Sequence, residues 1–445
     1  MGFISRIKEQ YAVSDDFFIL NDYLLETPVI LMGFNSLMDW TLTKQNLQTY
    51  INTAADTGLG LEEFRTVLGQ VETASGMDKA SAGLLQGKLI IYFEQENSFI
   101  VMDTVARTLD RSITPPVNEN VFQGTLSSFT EDINSNIGIL RKQIQSSHVN
   151  VSSYTIGSEE TRQLTLVYYE GHADVNLIEK IKMQIEQNKH QQIDNLQQLS
   201  QRMMGFRNWT LVPNLNQTEL PEEAANFLRN GRALLFMDRL PVAVVLPSLL
   251  WDIFVLGSDR HMPLPLMMFL RALRVIGVML TLILPGTYVA LVSVNPEVLR
   301  IELALSIAQT REGIPYPAIV EIVLMLLILE LIIEASIRLP KNIGPTITMV
   351  GGIILGEAVV QAKLVSNLLI IILAATTIAN STIIGLQQSL SLRIAKYIIV
   401  ILAAIYGVFG IMEGLVLVFA YLSSLHPFGI PYTSIMRCKK EVNHG

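Results

Sequence analysis

Apolar and polar positions are spread so unevenly that the chain divides into two kinds of sequence. Up to residue 260, short apolar runs of strand length alternate with polar and amphipathic stretches. From Pro265 to Leu425 apolar residues dominate, in runs long enough to cross a bilayer.

Within the first part, Lys79-Ala-Ser-Ala-Gly-Leu-Leu-Gln-Gly-Lys-Leu-Ile-Ile-Tyr-Phe93 parallels Glu223-Ala-Ala-Asn-Phe-Leu-Arg-Asn-Gly-Arg-Ala-Leu-Leu-Phe-Met237. Ala80/Ala224, Leu84/Leu228, Gly87/Gly231, Lys88/Arg232, Ile90/Leu234 and Ile91/Leu235 align without a gap. Each copy reads as a helix stopped by glycine, then a buried strand. A turn and a second strand follow, Ser98–Met102 in one copy and Val242–Leu246 in the other. Upstream, Pro28–Gly33 and Leu164–Gly171 read as strands, each leading through a loop to a helix, about Leu42–Thr53 and Val175–Glu186. The expected fold is an α/β soluble N-terminal region of two similar subdomains, residues 1–113 and 119–260, duplicated from one plan. Thr114-Pro-Pro-Val-Asn118 is the expected linker, and the Gln- and Asn-rich stretch 184–201 an exposed helix end or loop. Leu234–Leu250 is apolar enough to imitate a span. Asp238-Arg239 and Pro241 interrupt it as a hairpin turn does, so it is expected to be a strand pair.

Residues 264–426 are expected to form an all-α polytopic membrane domain of about four to five spans, followed by a short tail, 427–445. The spans read as Leu266–Val292, Ala318–Ile337, Ile343–Gln361, Leu364–Ile384 and Tyr397–Leu425, with Glu297–Gln309 a short helix between the first two. Arg271 and Arg274 near the start of the first span fit a cytoplasmic side, and Pro285 predicts a kink. Arg393 and Lys396 precede the last run, which is too long for a simple span. A fifth simple span puts Arg437, Lys439 and Lys440 outside, so either one segment is re-entrant or the tail breaks the positive-inside bias. The pairs Gly352/Gly356 and Gly410/Gly414 predict close helix packing.

Acids inside these runs are the candidate chemistry. A carboxylate at the bilayer centre costs roughly 2.5–3.5 kcal/mol on insertion scales, so it faces a partner or water. Ala318–Ile337 carries Glu321, Glu330 and Glu334, the last two on one face and Glu321 on another. Glu357 and Glu413 stand in later spans. Two readings are open. These acids pair with bases such as Arg338 or Lys341 near the interface, or a ring of subunits gathers one of them into a cation-lining collar, Glu330 first.

Composition narrows the class further. Charged residues make up 16% of the chain, the net charge is −8, and no basic footprint for nucleic acid is present. One cysteine and six scattered histidines give no disulfide framework and no metal site. No secretory signal opens the sequence, so the polar half is expected to be cytoplasmic. With no Walker loop, GxSxG or HExxH, the chain is not expected to be an enzyme or to hold a cofactor.

Phe269-Leu-Arg-Ala-Leu-Arg274, Leu284-Pro-Gly-Thr-Tyr-Val-Ala-Leu291, Glu302-Leu-Ala-Leu-Ser-Ile-Ala308, Arg311-Glu-Gly-Ile-Pro-Tyr-Pro317, Arg338-Leu-Pro340 and Phe428-Gly-Ile-Pro-Tyr432 occur in this order. Together they resemble the A subunit of the GerA-type spore germination receptors. The motif positions that carry the likeness are Arg271, Arg274, Glu302, Arg311, Glu312, Gly313, Pro315, Pro317, Arg338 and Pro340. The resemblance implies a multi-pass protein of the spore inner membrane with its N-terminal region facing the spore core. It implies a transporter-like B subunit and a lipoprotein C subunit as partners, and self-association into a ring-shaped, ligand-gated channel for monovalent cations. The chain departs from the family pattern at Ile333, where an arginine is usual, and at Glu357 and Glu413. Two other functions compete: an accessory relative of the same superfamily, the stage V sporulation protein AF, and a proton-coupled transporter using Glu321 and Glu330.

Overall fold

Both repeats build the same antiparallel sheet. In the first repeat α1 (Phe3–Tyr11), β1 (Phe17–Leu24), β2 (Thr27–Phe34), α2 (Trp40–Thr57), α3 (Leu61–Leu68), β3 (Gln70–Thr73), α4 (Met77–Leu85), β4 (Leu89–Phe93) and β5 (Ser98–Met102) follow one another. The second repeats the plan with α5 (Ile133–Gln143), β6 (Val149–Ile156), β7 (Arg162–Tyr169), α6 (Val175–Asn188), β8 (Asn216–Thr218), α7 (Pro221–Arg229), β9 (Ala233–Met237) and β10 (Ala243–Leu246). The strand orders, β1-β2-β4-β5-β3 and β6-β7-β9-β10-β8, are equivalent. The computed structural model describes residues 2–25, 27–57, 61–74, 76–105, 127–207, 209–339 and 344–434; the expected linker 114–118 lies outside them.

The gapless alignment of the two copies has a backbone cause. After α4 the chain turns through Gly87 at φ +83°, with Gly87 N–H bonded to Leu84 and Lys88 N–H to Gly83. After α7 it turns through Gly231 at φ +81°, with Gly231 N–H bonded to Leu228 and Arg232 N–H to Phe227. Both are Schellman caps, and only glycine adopts that φ without strain. The cap delivers the chain into central strands that are buried on both faces, β4 and β9. Leu235 pairs with Val244 across the expected hairpin, so Leu234–Leu250 is not a span. Within 184–201, by contrast, Leu199 is buried, so this stretch is not wholly exposed.

A buried ion pair ties the two subdomains together. Arg141 of α5 reaches Asp16, just before β1, through Nε–Oδ2 and Nη2–Oδ1 bonds of 2.7 Å each. Ser36 donates to the same carboxylate at 2.6 Å, and the guanidinium lies over the Phe34 ring. Asp15 N–H bonds the Val151 carbonyl on β6, so backbone and side chains are engaged at the same seam.

The chain forms two compact units, the α/β unit and a helical unit of Trp209–Pro213 with Leu249–Ser434. The helical unit contains α8 (Leu264–Val289), α9 (Ile301–Thr310), α10 (Ala318–Arg338), α11 (Gly344–Gln361), α12 (Asn367–Asn380), α13 (Leu386–Tyr406) and α14 (Val408–Ser424). Helix α8 passes through Pro285 and continues as a π-type turn to Val294. Two helices among the described residues are long and apolar enough to cross a membrane, Leu264–Val294 and Gln387–Tyr406; α12 and α14 are shorter apolar helices.

The long apolar run Tyr397–Leu425 is not one helix. Gly407, at φ +64°, breaks it into α13 and α14, which fold back on each other. A side chain at Gly410 would strike the Leu402 carbonyl, and one at Gly414 would lie 2.9 Å from Ile399, so these glycines admit a tight antiparallel hairpin. Arg393 and Lys396, expected ahead of the run, are inside α13 and buried. The expectation failed because the flanking Gln, Ser and Leu residues continue the helix N-terminally through both cations.

Candidate functional site

Several charged groups in the helical unit are gathered into partnered clusters. The first is built on Glu321, in the opening turn of α10 and 1% exposed. One carboxylate oxygen accepts the Ser366 backbone N–H at 2.6 Å; the other accepts the Tyr288 hydroxyl at 3.1 Å. Arg311 Nε stands 3.5 Å away. Ser366 is the N-cap of α12, its hydroxyl accepting from Leu369 N–H and lying 2.9 Å from the Tyr288 hydroxyl. The carboxylate therefore faces a helix N-terminus, whose free N–H groups and dipole favour an anion. The end of α8 and the starts of α10 and α12 meet at this one end of the unit.

Glu330 lies nine residues further along α10. Arg393 Nη1 lies 2.6 Å from one of its oxygens, and Lys396 Nζ 3.3 Å from the other. Spaced i,i+3 on α13, these two cations share a face and can grip one acid. Their shared acid explains how two buried bases are tolerated in an apolar helix. Sequence reasoning missed it because the partners are far apart in the chain; the spacing of Arg393 and Lys396 was the signal that could have found it.

A third cluster fixes the foot of α8. Asp259, buried in the turn Gly257–His261, receives Arg274 through bonds of 2.5 and 2.8 Å and the Leu256 N–H at 3.2 Å, with Arg271 3.5 Å away. Burial opposes ionisation of this acid, but the arginines and the amide outweigh it and hold its carboxyl below the usual range. Arg274 also donates to the Phe254 carbonyl. The two motif arginines are thus structural ties at the start of α8.

The remaining acids are exposed. Glu334 pairs with Arg338 on the same helix at 2.7 Å. Glu357 accepts from Gln361, one turn on. Glu413 is exposed on α14 and has no hydrogen-bond or ion-pair partner among the described residues. Gly352 and Gly356 have open space where a side chain would stand, so the packing expected of them is not met within the chain. A side chain at Gly286, beside Pro285, would crowd Ile399 and Ala403 at 3.3 and 3.4 Å.

Other motif positions are turn-makers. Gly313 has φ +87°, and a side chain there would meet Lys363 at 3.0 Å, while Pro317 caps α10, its carbonyl accepting from Val320 and Glu321. Arg311 also donates to the Tyr316 carbonyl, closing the loop over Glu321. Glu302, Glu312 and Pro315 are exposed; Pro340, Lys341 and the tail residues Arg437, Lys439 and Lys440 lie outside the described residues. No group of three or more His, Cys, Asp or Glu side chains suited to a metal ion occurs among the described residues.

The model of the Bacillus/Clostridium GerA spore germination protein family matches residues 5–443 of this chain. Spore germination protein GerLA of Bacillus cereus is 32% identical over 351 residues, covering 79% of this chain and 71% of the relative. In Bacillus subtilis (strain 168), spore germination protein KA is 29% identical over 369 residues, covering 82% of this chain and 67% of the relative. An uncharacterized membrane protein of that strain, YfkQ, is 30% identical over 369 residues, 82% of this chain and 71% of the relative. Among solved structures, the N-terminal domain of the A subunit of the Bacillus megaterium spore germinant receptor GerK3 aligns at 20% identity and a TM-score of 0.41. That alignment covers 55% of this chain and 93% of that one.

Proposed function

The chain belongs to the GerA family of spore germination proteins, and we propose that it is the membrane-embedded A subunit of a germinant receptor. In this reading α8, α10, α11, α12, α13 and α14 lie in the inner membrane of the spore, and the α/β unit faces the spore core. Six membrane elements, rather than four or five, follow from the break at Gly407. An even number returns the chain to its starting side, in keeping with the positive-inside bias for a sequence that ends in a basic stretch. The clusters agree with this path. Glu330, late in α10, and Arg393, early in α13, fall near the inner side, whereas Glu321, Tyr288 and Ser366 fall near the outer side.

Glu413 carries the functional reading. The acids of α10 have bases or helix amides beside them, but Glu413 projects from the apolar helix α14 with no partner among the described residues. Facing lipid, an unpaired carboxylate on an apolar helix is disfavoured. A symmetric ring of subunits removes the cost by turning α14 toward a shared water path, where Glu413 forms a collar that attracts cations. Glu357, exposed at the same outer end, is the second member of that path. Glu330 is assigned instead to holding α10 against α13, and no enzymatic step is assigned. B and C subunits supply germinant recognition and complete the receptor. Planar-bilayer recording of the purified receptor, with and without germinant, tests this: a germinant-dependent monovalent-cation current is expected, and a silent bilayer with an assembled receptor contradicts it.

A further inference from the structure

Between the ends of α13 and α14 that lie away from Gly407 is an apolar cavity of about 260 Å³. Leu392 and Ala395 form one wall and Leu417 and Tyr421 another; Val212 and Leu250 close the end. No charged side chain lines it. Gln388, Ser391, Tyr421 and Tyr432 border it but expose almost no polar surface into it, so it does not favour water; an apolar cavity of roughly 150 Å³ already takes up benzene. Left empty, its lining loses dispersion contacts on one side. Ile398 and Leu417 line the cavity and are also partly exposed on the outer face of the hairpin, where they continue into exposed Ile401 and Val416. The mouth therefore opens onto the surface that the placement proposed above puts in lipid.

We propose that this cavity is a binding site for one acyl chain of a membrane lipid, inserted between α13 and α14 from their outer face. The position gives the occupant a consequence. Val212 belongs to the five-residue segment Trp209–Pro213, and Leu250 follows the point where the chain joins the helical unit for good. Both crossings are tied to the cavity walls, Leu211 N–H to the Tyr421 hydroxyl at 2.8 Å and Leu250 N–H to the Tyr432 carbonyl at 2.9 Å. An acyl chain packed against Val212 and Leu250 braces these ties, and its loss loosens them.

The test uses the full chain in nanodiscs containing phosphatidylglycerol with a diazirine in one acyl chain. After photolysis, label is expected on peptides bearing Leu392, Ala395 and Leu417 at severalfold the level on exposed Ile371 and Phe409. Ala395→Trp, which fills the cavity, is expected to remove that excess while leaving label on Ile371 and Phe409; Ser391→Leu is the milder filler if the first variant does not fold. Hydrogen exchange at the Leu211 amide is expected to slow when the lipid is present. Equal labelling of cavity and outer faces, or an excess that survives both fillers, overturns the assignment. So does an excess displaced by a small apolar solute such as benzene while Leu211 exchange stays unchanged. Label on Ile371 and Phe409 reports membrane placement by itself, so failure of the cavity and failure of that placement are told apart.

Discussion

Arg393 lies 2.6 Å from Glu330 although the two stand on different helices and far apart in sequence. With Lys396 on the second oxygen, a carboxylate that the sequence offers as a pore acid is used inside one subunit. Glu330→Gln leaves two buried cations without their acid, and a loss of about 1–3 kcal/mol of stability is expected, moderated by the partial exposure of Glu330. Adding Arg393→Gln restores the original net charge of the cluster and is expected to recover part of it. Thermal unfolding of the two variants in detergent checks this; equal losses in both contradict the pairing.

The seam between subdomains makes a parallel prediction. Arg141→Ala strands the carboxylate of Asp16, which is buried, and breaking such a pair costs roughly 3–5 kcal/mol. Residues 1–260 expressed alone are expected to be soluble and to unfold in urea as one cooperative step. In the Arg141→Ala variant the two subdomains are expected to unfold separately, with a lower first midpoint. A single unchanged transition contradicts the interlock.

Much of the α/β unit was legible because its signals are local. Gly87 and Gly231 need a positive φ, and the apolar runs after them are of strand length, so the repeat could be read from spacing alone. Strand β1 could not: Phe17–Leu24 is an edge strand with Asn21 and Asp22 in its middle, and only pairing with β2 fixes it. In the helical unit, apolar length marked the long helices, but the positive φ of Gly407 decided that the last run is two helices and not one. The partners of Glu321 and Glu330 come from helices distant in the chain, and no spacing rule along one helix reveals them.

Acid titration is expected to loosen the foot of α8. The folded-state pKa of Asp259 is depressed, so the stability it contributes is complete above the ordinary carboxylate value and is lost as pH falls through its lower folded value. The window thus begins below about pH 4. Thermal midpoints measured across this range should fall in the wild type, and Asp259→Asn should lack that component while being less stable at neutral pH. Identical pH profiles contradict the assignment.

The glycines separate packing within a chain from packing between chains. Gly410→Ala forces a methyl into the Leu402 carbonyl and is expected to lower the stability of the monomer. Gly356→Leu meets open space in the chain, so monomer stability should be kept while oligomer formation is disturbed. Thermal melts and native mass spectrometry of both variants check this; assembly unchanged by Gly356→Leu places that glycine against lipid.

The central claim is that α14 turns Glu413 toward a shared cation path, and reversal potentials in planar bilayers test it most directly. Recorded under a potassium chloride gradient, the wild-type receptor is expected to favour potassium over chloride. Glu413→Gln, which keeps shape and removes charge, is expected to assemble normally and to shift the reversal potential toward zero as cation preference weakens. A variant that assembles, conducts and keeps the wild-type reversal potential contradicts a Glu413 collar.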